Sequence, residues 1–526
     1  MFKQLFQRLS AAPTLPKTQA AARKFDVADF YRGPVAEIDG AQTDTAMALD
    51  EKLRQAYFWI VNTAILSPHY DVEYQSEPSP QFVVGDKKSR LTLPSAQSYS
   101  SYVLLPLLSF ATQRKCLFVG GPGRGKTASA ILMGVLAGYP VREVKRAMQH
   151  GHPQMTIADL LGNPLPADLM RAESTRDIRI SWRRWLSMRV KIIDEYNRIP
   201  TRTQSALLTL MGDGYAELMD QIFESPASAW FLTANDDQGG GTYQVIDALR
   251  DRIDVIVQAL PFNPRFLDQL LMRIEENLQP EQAVPAQIVF SEAELDHMQA
   301  QVREVAIPVP VRRRLEFFAS QFELAEAAGE QFEYKGKDTA RLAGTDWAWL
   351  TAQDTGRDRM KDLGCQTKNG VSVRNLMTLL VYAKAMAFFR GQAEVALEDL
   401  RQVLPFVLND KLKPDLDAPF FAVPNNAMFK SDRIGWLRQL FDASCAEYDR
   451  LDLDRTDPVG ALAAQFAQGL EGLGEKDAVR RLTDIERLVA QLTQGRKLYG
   501  PLHDDLMLLK YLHQRYRNYL LWVRQQ

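Results

Sequence analysis

Hydrophobic positions along the chain follow three regimes. Between residues 97 and 261, short unbroken apolar runs alternate with stretches of helical spacing. The pattern predicts helices over 98–113, 126–136 and 202–211 and strands over 115–119, 190–193 and 229–234. Continuous apolar strands separated by helices imply a parallel sheet covered on both faces. Upstream, spacing predicts a helix over 45–66 and a hairpin in which Phe82-Val83-Val84 and Leu91-Thr92-Leu93 flank 85–88, after a linker with Pro78 and Pro80. Downstream, 262–412 reads as helical, broken at 329–370 by a polar, glycine-bearing insertion with Trp347 and Trp349 as anchors. Beyond 413 the stripes Leu482, Ile485, Leu488, Val489, Leu492 and Leu502, Leu506, Leu509, Tyr516, Leu520 predict a helical hairpin or small bundle. Heptads are not sustained, so self-packing is favoured over a partner coiled coil.

The expected organisation is therefore an N-terminal extension (1–96), an α/β core (97–261), a helical region (262–412) and a C-terminal helical region (413–526). A chain of 526 residues accommodates about three domains of ordinary size.

The junction of the first core strand and its helix carries the chemistry. Gly120-Gly121-Pro122-Gly123-Arg124-Gly125-Lys126-Thr127 fits G-x-x-x-x-G-K-[ST] between Cys116-Leu117-Phe118-Val119 and the helix that Ala128 opens. Such a loop turns successive backbone N–H groups inward around polyphosphate oxygens, and the helix N-terminus adds its positive end. Lys126 would bridge the β- and γ-phosphates, and Thr127 would complete a Mg²⁺ site. The whole stretch from Gly120 to Ala128 is the candidate nucleotide cradle.

Turnover needs a second acidic centre at the end of a buried strand. Val190-Lys191-Ile192-Ile193 leads into Asp194-Glu195. Asp194 would hold Mg²⁺ with Thr127, and Glu195 would polarise the water that attacks the γ-phosphate. Asn235 ends the next apolar strand, where its amide could orient that water.

Bulk properties narrow the partners. Lysine and arginine number 63 against 65 acidic residues, a formal charge of -2, which gives no global field toward nucleic acid. Arg312-Arg313-Arg314 and Arg183-Arg184 are local exceptions. Three scattered cysteines, Cys116, Cys365 and Cys445, fit a reducing compartment and make neither a disulfide framework nor a metal site. His150 and His152 lack further ligands nearby and read as part of a polar loop. No apolar run is long enough for a membrane span, so a cytoplasmic location is expected. Phe2, Leu5, Phe6 and Leu9 line one face of a short N-terminal segment, read as a docking helix or frayed tail.

Asp194-Glu195-Tyr196-Asn197-Arg198-Ile199-Pro200 with Gln204 and Ala206-Leu207-Leu208 resembles the D-E-x-N-R-x-P…Q-x-A-L-L signature of MoxR-type AAA+ ATPases. Thr233-Ala234-Asn235, Gly241-Thr242-Tyr243 and 248–254 are similar to the family's T-x-N…G-T-Y…L-D-R-F run. Ile157 to Gly162 resembles its D-L-x-G segment, and Val371-Ser372-Val373-Arg374 its S-P-R motif with valine in the proline's place. The resemblance covers roughly residues 97–412. The 329–370 stretch exceeds the usual lid, and the glycine-proline pair that often precedes the second acidic strand is absent from 181–185.

The resemblance implies an AAA+ P-loop core followed by an α-helical lid. It also implies a ring, commonly a hexamer, with ATP between neighbours and an arginine supplied in trans. Arg252 is the candidate finger, Arg250 the alternative, and Arg374 would sense the phosphate in cis from the lid. The loop 150–175 would face the ring pore or a client. The implied activity is ATP hydrolysis driving chaperone-like remodelling of a protein client, frequently with a von Willebrand factor A-type partner. A nucleic-acid-associated motor and a nucleotide-gated scaffold without turnover remain the alternatives.

Overall fold

The computed structural model of the chain describes residues 47–85, 89–169, 178–235, 245, 247–329, 331–345 and 361–525. The N-terminal Phe2–Leu9 stripe, the Gly241-Thr242-Tyr243 motif and the tryptophans Trp347 and Trp349 lie outside these residues.

Helix α1 (Leu49–Trp59) continues into one π-type turn, Ile60–Ala64, and falls within the stretch expected to be helical. The N-terminal hairpin pairs Gln81–Val83 with Arg90–Thr92, and its root is the antiparallel pair Val72–Glu73 with Ser98–Tyr99. Five core strands follow, threaded by helices: α2 (Ser101–Thr112), β1 (Lys115–Val119), α3 (Lys126–Leu136), β2 (Gln149–His150), β3 (Val190–Asp194), α4 (Thr201–Asp213), β4 (Ala229–Ala234), α5 (Asp247–Asp251) and β5 (Val255–Gln258). Their order in the sheet is β5-β1-β4-β3-β2, all parallel. Every residue of β4 is buried, as its unbroken apolar sequence requires of a strand covered on both faces.

Pattern reading missed β2 and β5. Two residues are too few to make an apolar run, and the short Val255–Gln258 directly follows the charged Asp251-Arg252-Ile253-Asp254 stretch. Two antiparallel excursions also escaped it: Gly162–Pro164 with Ile180–Trp182, and Tyr215–Leu218 with Gln221–Glu224. The second turns through Met219 and Asp220, both at positive φ (51° and 60°), a hairpin turn without the glycine that would announce it. The two excursions touch where the Trp182 ring, tilted at 44°, lies 5.5 Å from that of Phe223.

After the sheet come α6 (Leu267–Glu275), α7 (Glu292–Glu304), α8 (Val309–Ser320), α9 (Val373–Phe389) and α10 (Leu397–Leu408). The region beyond 413 is divided. Helix α11 (Arg433–Arg450) sends Trp436, Leu437, Leu440 and Phe441 into the main core with α9 and α10. By contrast, α12 (Pro458–Ala467), α13 (Glu475–Thr493) and α14 (Gly500–Val523) pack around a separate core that includes Leu482, Ile485, Leu509 and Tyr516. The main core joins α1, α2 and one face of the sheet to the lid helices, and the other face packs on α4 with Trp185.

Candidate nucleotide site

Parallel α/β sheets bind ligands beyond the carboxyl ends of their strands, where the order of connection reverses. The loop after β1 occupies that position. Gly123 and Gly125 adopt φ of +71° and +76°, a left-handed backbone that glycine enters without steric cost. The next residues open α3, whose N-terminus therefore faces the loop.

Lys126 is buried, and its ammonium donates to the carbonyls of Gly120 (2.6 Å) and Gly121 (2.8 Å) and to Asn235 Oδ1 (2.9 Å). The other end of that amide, Nδ2, donates to Glu195 Oε1 at 3.1 Å. Arg198 lies 3.3 Å from Glu195 Oε2. Thr127 Oγ1 donates to Asp194 Oδ1 at 2.9 Å. The loop, both acidic residues and Asn235 thus form one connected polar cluster, built from β1, β3 and β4 side by side.

Local backbone geometry puts Glu195 there. It occupies the left-handed region (φ +53°), which turns the chain sharply at the end of β3 and starts the short turn Tyr196–Arg198. Gly151 permits the turn: a Cβ on it would lie 2.2 Å from the Glu195 carbonyl oxygen. Its N–H also donates to the Asp194 carbonyl at 2.8 Å. The neighbouring His150 stands 3.6 Å from Asp194 Oδ2, and its side chain is mostly exposed.

The donor set suits a magnesium-bound triphosphate. Mg²⁺ is usually held by one or two protein oxygens, with phosphates and waters supplying the rest. Thr127 and Asp194 provide such a pair, Lys126 supplies the cation, and the α3 N-terminus supplies the dipole. Among the described residues no cluster of three or more His, Cys, Asp or Glu side chains could hold a metal by itself. A Mg²⁺ ion held by Thr127 and Asp194 would take its remaining ligands from phosphate oxygens and water.

Sequence reading identified nothing that would hold a base. The structure provides a cavity of ≈ 740 Å³ beside Gly123–Gly125, walled by Ile65, Tyr102, Leu132, Leu260, Ile274 and Leu278. These residues come from five separate stretches of chain, so no local motif could have revealed them. The Tyr102 hydroxyl accepts from Ser129 at 3.2 Å, and burial pushes its pKa up to about 12. Arg273 of α6 fixes one wall by donating to the Ala64 carbonyl at 2.9 Å.

The three candidate arginines lie elsewhere. Arg252 Nη1 donates to the Leu208 carbonyl at 2.5 Å, and its buried Nε has no partner among the described residues. Arg250 Nε donates to Asp410 Oδ2 of the lid at 2.8 Å. Arg374, in the first turn of α9, pairs with Asp251 at 2.8 Å. Burial lowers the pKa of Lys115, the first residue of β1, and the charges of Arg374 and Arg252 add to the effect. The Asp254 N–H donates to the Lys115 carbonyl at 3.0 Å, which puts Arg252, two residues earlier, and Arg374, through its pair with Asp251, at the amino end of β1, whereas the phosphate loop follows its carboxyl end. Four steps of about 3.3 Å separate those ends, roughly 13 Å. Arg374 consequently does not meet the phosphate loop of its own chain, contrary to the cis contact expected of it. The reason is that α9 starts beside α5 at the opposite edge of the sheet.

Three of the five arginines in the basic runs are paired with acidic residues. Arg313 pairs with Asp457 (2.6 Å), Arg314 with Asp449 (2.7 Å) and Asp454 (2.9 Å), and Arg184 with Glu143 (2.8 Å). No helix among the described residues is long and apolar enough to cross a membrane.

Residues 364–427, which include α9 and α10, match the family described as AAA lid domain. With the five-stranded parallel sheet, the phosphate-type loop after β1 and the following helices, this gives the chain an α/β AAA+ fold. Among solved structures, that of a candidate ATPase from Cytophaga hutchinsonii ATCC 33406 is similar at 18% identity, over 63% of this chain and 86% of that one, with a TM-score of 0.42. No curated protein matches the sequence.

Proposed function

We propose that this chain is an AAA+ ATPase of MoxR-like type, which hydrolyses ATP at a seam between copies of itself and uses the motion to remodel or activate a protein client. The observation that carries the reading is the connected cluster Lys126–Asn235–Glu195 with Thr127–Asp194 at the carboxyl edge, while Arg252 and Arg374 stand at the amino edge. Lys126 and the loop amides bind and orient the triphosphate. Asp194 and Thr127 would hold Mg²⁺, which when bound neutralises charge on the phosphates. Glu195, aimed by Asn235, accepts the proton of the attacking water.

An arginine that stabilises the charge developing on the transferred phosphoryl contributes on the order of a thousandfold or more to rate. Arg252 and Arg374 are too distant to supply it to their own chain's loop, so in this reading both act on a neighbour's nucleotide in a ring, a hexamer in the related family. A von Willebrand factor A-type protein is the partner class that the resemblance suggests. The pairing of Arg184, Arg313 and Arg314 with acidic residues of the same chain weighs against a nucleic-acid motor.

Phosphate release by the native protein and by Glu195→Gln tests the reading. Release by the native protein and near-background release by the variant, which still binds ATP, is the expected result. Equal low rates would leave only the nucleotide-gated scaffold.

A further inference from the structure

One buried hydroxyl sits between the two acidic residues. Thr233 is 1% exposed, near the carboxyl end of β4, which pairs in register with β3 up to Leu232 opposite Ile193. Its Oγ1 donates to Asp194 Oδ1 at 2.5 Å and accepts the backbone N–H of Glu195 at 3.0 Å. The same Asp194 oxygen receives the Thr127 hydroxyl. Thr233 therefore touches both halves of the site: the carboxylate on the magnesium side and the backbone that turns Glu195 toward Asn235.

We propose that Thr233 is a positioning residue for hydrolysis, its hydroxyl locking the Asp194 carboxylate and the left-handed turn of Glu195 into one arrangement. The inference rests on the ATP-hydrolysing reading of this site. The physical argument is one of orientation and satisfaction. A non-glycine residue at φ +53° is held there only by its surroundings, and the Thr233 oxygen supplies the acceptor for its N–H. The hydroxyl also fixes one lone pair of Asp194 Oδ1, which leaves Oδ2 as the freer oxygen toward a metal. Loss of such a supporting contact behind a metal ligand typically costs ten- to a hundredfold in affinity or activity.

Thr233→Val keeps the side-chain shape and removes both hydrogen bonds, whereas Thr233→Ser keeps them. We expect Thr233→Val to lower kcat by roughly tenfold or more with KM for ATP changed less than about twofold, and Thr233→Ser to stay near native. A second readout needs no turnover. In the Glu195→Gln background, binding of a fluorescent ATP analogue is measured with Mg²⁺ and with EDTA. The tightening that Mg²⁺ produces should shrink with Thr233→Val and persist with Thr233→Ser. If Thr233→Val does not fold, Thr233→Ala is read by the same ratio. Native kcat with a native Mg²⁺ ratio overturns the proposal, as does equal weakening in Mg²⁺ and EDTA. A native protein that neither binds nor cleaves ATP would instead sink the underlying reading, whatever the Thr233 variants do.

Discussion

At the carboxyl edge of the sheet the polar side chains are wired to one another: Lys126 reaches Asn235, Asn235 reaches Glu195, and Thr127 reaches Asp194. At the amino edge the contacts run between elements. Arg374 of the lid pairs with Asp251, Asp254 accepts from Thr378 of α9 at 3.0 Å, and Arg250 holds Asp410. Lys411 donates to the Asp254 carbonyl at 3.4 Å, and burial lowers its pKa. In the proposed reading, one edge is the reaction site, and the other is a seam between core and lid that carries the arginines such a site would need. If the seam faces a neighbouring copy, nucleotide state at one edge is coupled to lid posture at the other through the next chain.

The largest expected effect breaks the carboxyl edge alone. Lys126→Ala should weaken ATP binding beyond detection in a fluorescent-nucleotide titration, because in the proposed site its buried ammonium is the cation that would meet the phosphates. Binding that survives unchanged would remove the phosphate role from the loop.

Next comes the amino edge. Arg252→Ala should bind ATP normally while hydrolysis falls on the order of a thousandfold. Mixing it with Glu195→Gln should restore part of the rate, because some interfaces then pair an intact glutamate with an intact arginine. No recovery on mixing would mean that the two edges do not meet between chains.

A third prediction separates the edges by stability. Lys191 lies one residue into β3, fully buried, with its ammonium on the Met188 carbonyl (2.8 Å) and Ser228 Oγ (2.9 Å). Burial, with the nearby charge of Arg189, pushes its pKa down to about 7. Between that value and the unfolded lysine value near 10.4, the unfolded chain holds a proton that the folded chain has released. Stability should therefore rise with pH across this window, by at most about 1.4 kcal/mol per pH unit. Urea denaturation at pH 7 and pH 9 reads the slope, which Lys191→Met should flatten. An unchanged slope in the variant would assign the pH response elsewhere.

The smallest effect concerns Arg374. Its ion pair with Asp251 is about half exposed (52% and 41%), so Arg374→Ala should change stability by no more than about 1 kcal/mol. Its ATPase rate should nevertheless fall measurably if the residue serves a neighbour. A thermal shift of many degrees with an unaltered rate would make it a structural tether only.

Much of the carboxyl edge was legible because it is local. An eight-residue loop between an apolar strand and a helix fixes its own shape through glycine φ freedom, and Asp194 and Glu195 are placed by the strand that ends at them. Asn235 needed only the order of strands. Thr233 was visible as part of a motif, but its two partners were not, since they depend on β4 lying beside β3. The apolar cavity beside Gly123–Gly125 and the position of Arg374 were hidden for the same reason.

Sequence alone marked three of the five core strands with their helices, the glycine-rich loop and the acidic pair, all consequences of spacing within a few residues. Tertiary structure alone decided which strands are neighbours, that α11 belongs with the lid core, and that the arginines face the amino edge. Those outcomes follow from how hydrophobic faces hundreds of residues apart bury one another, and no local spacing encodes that choice.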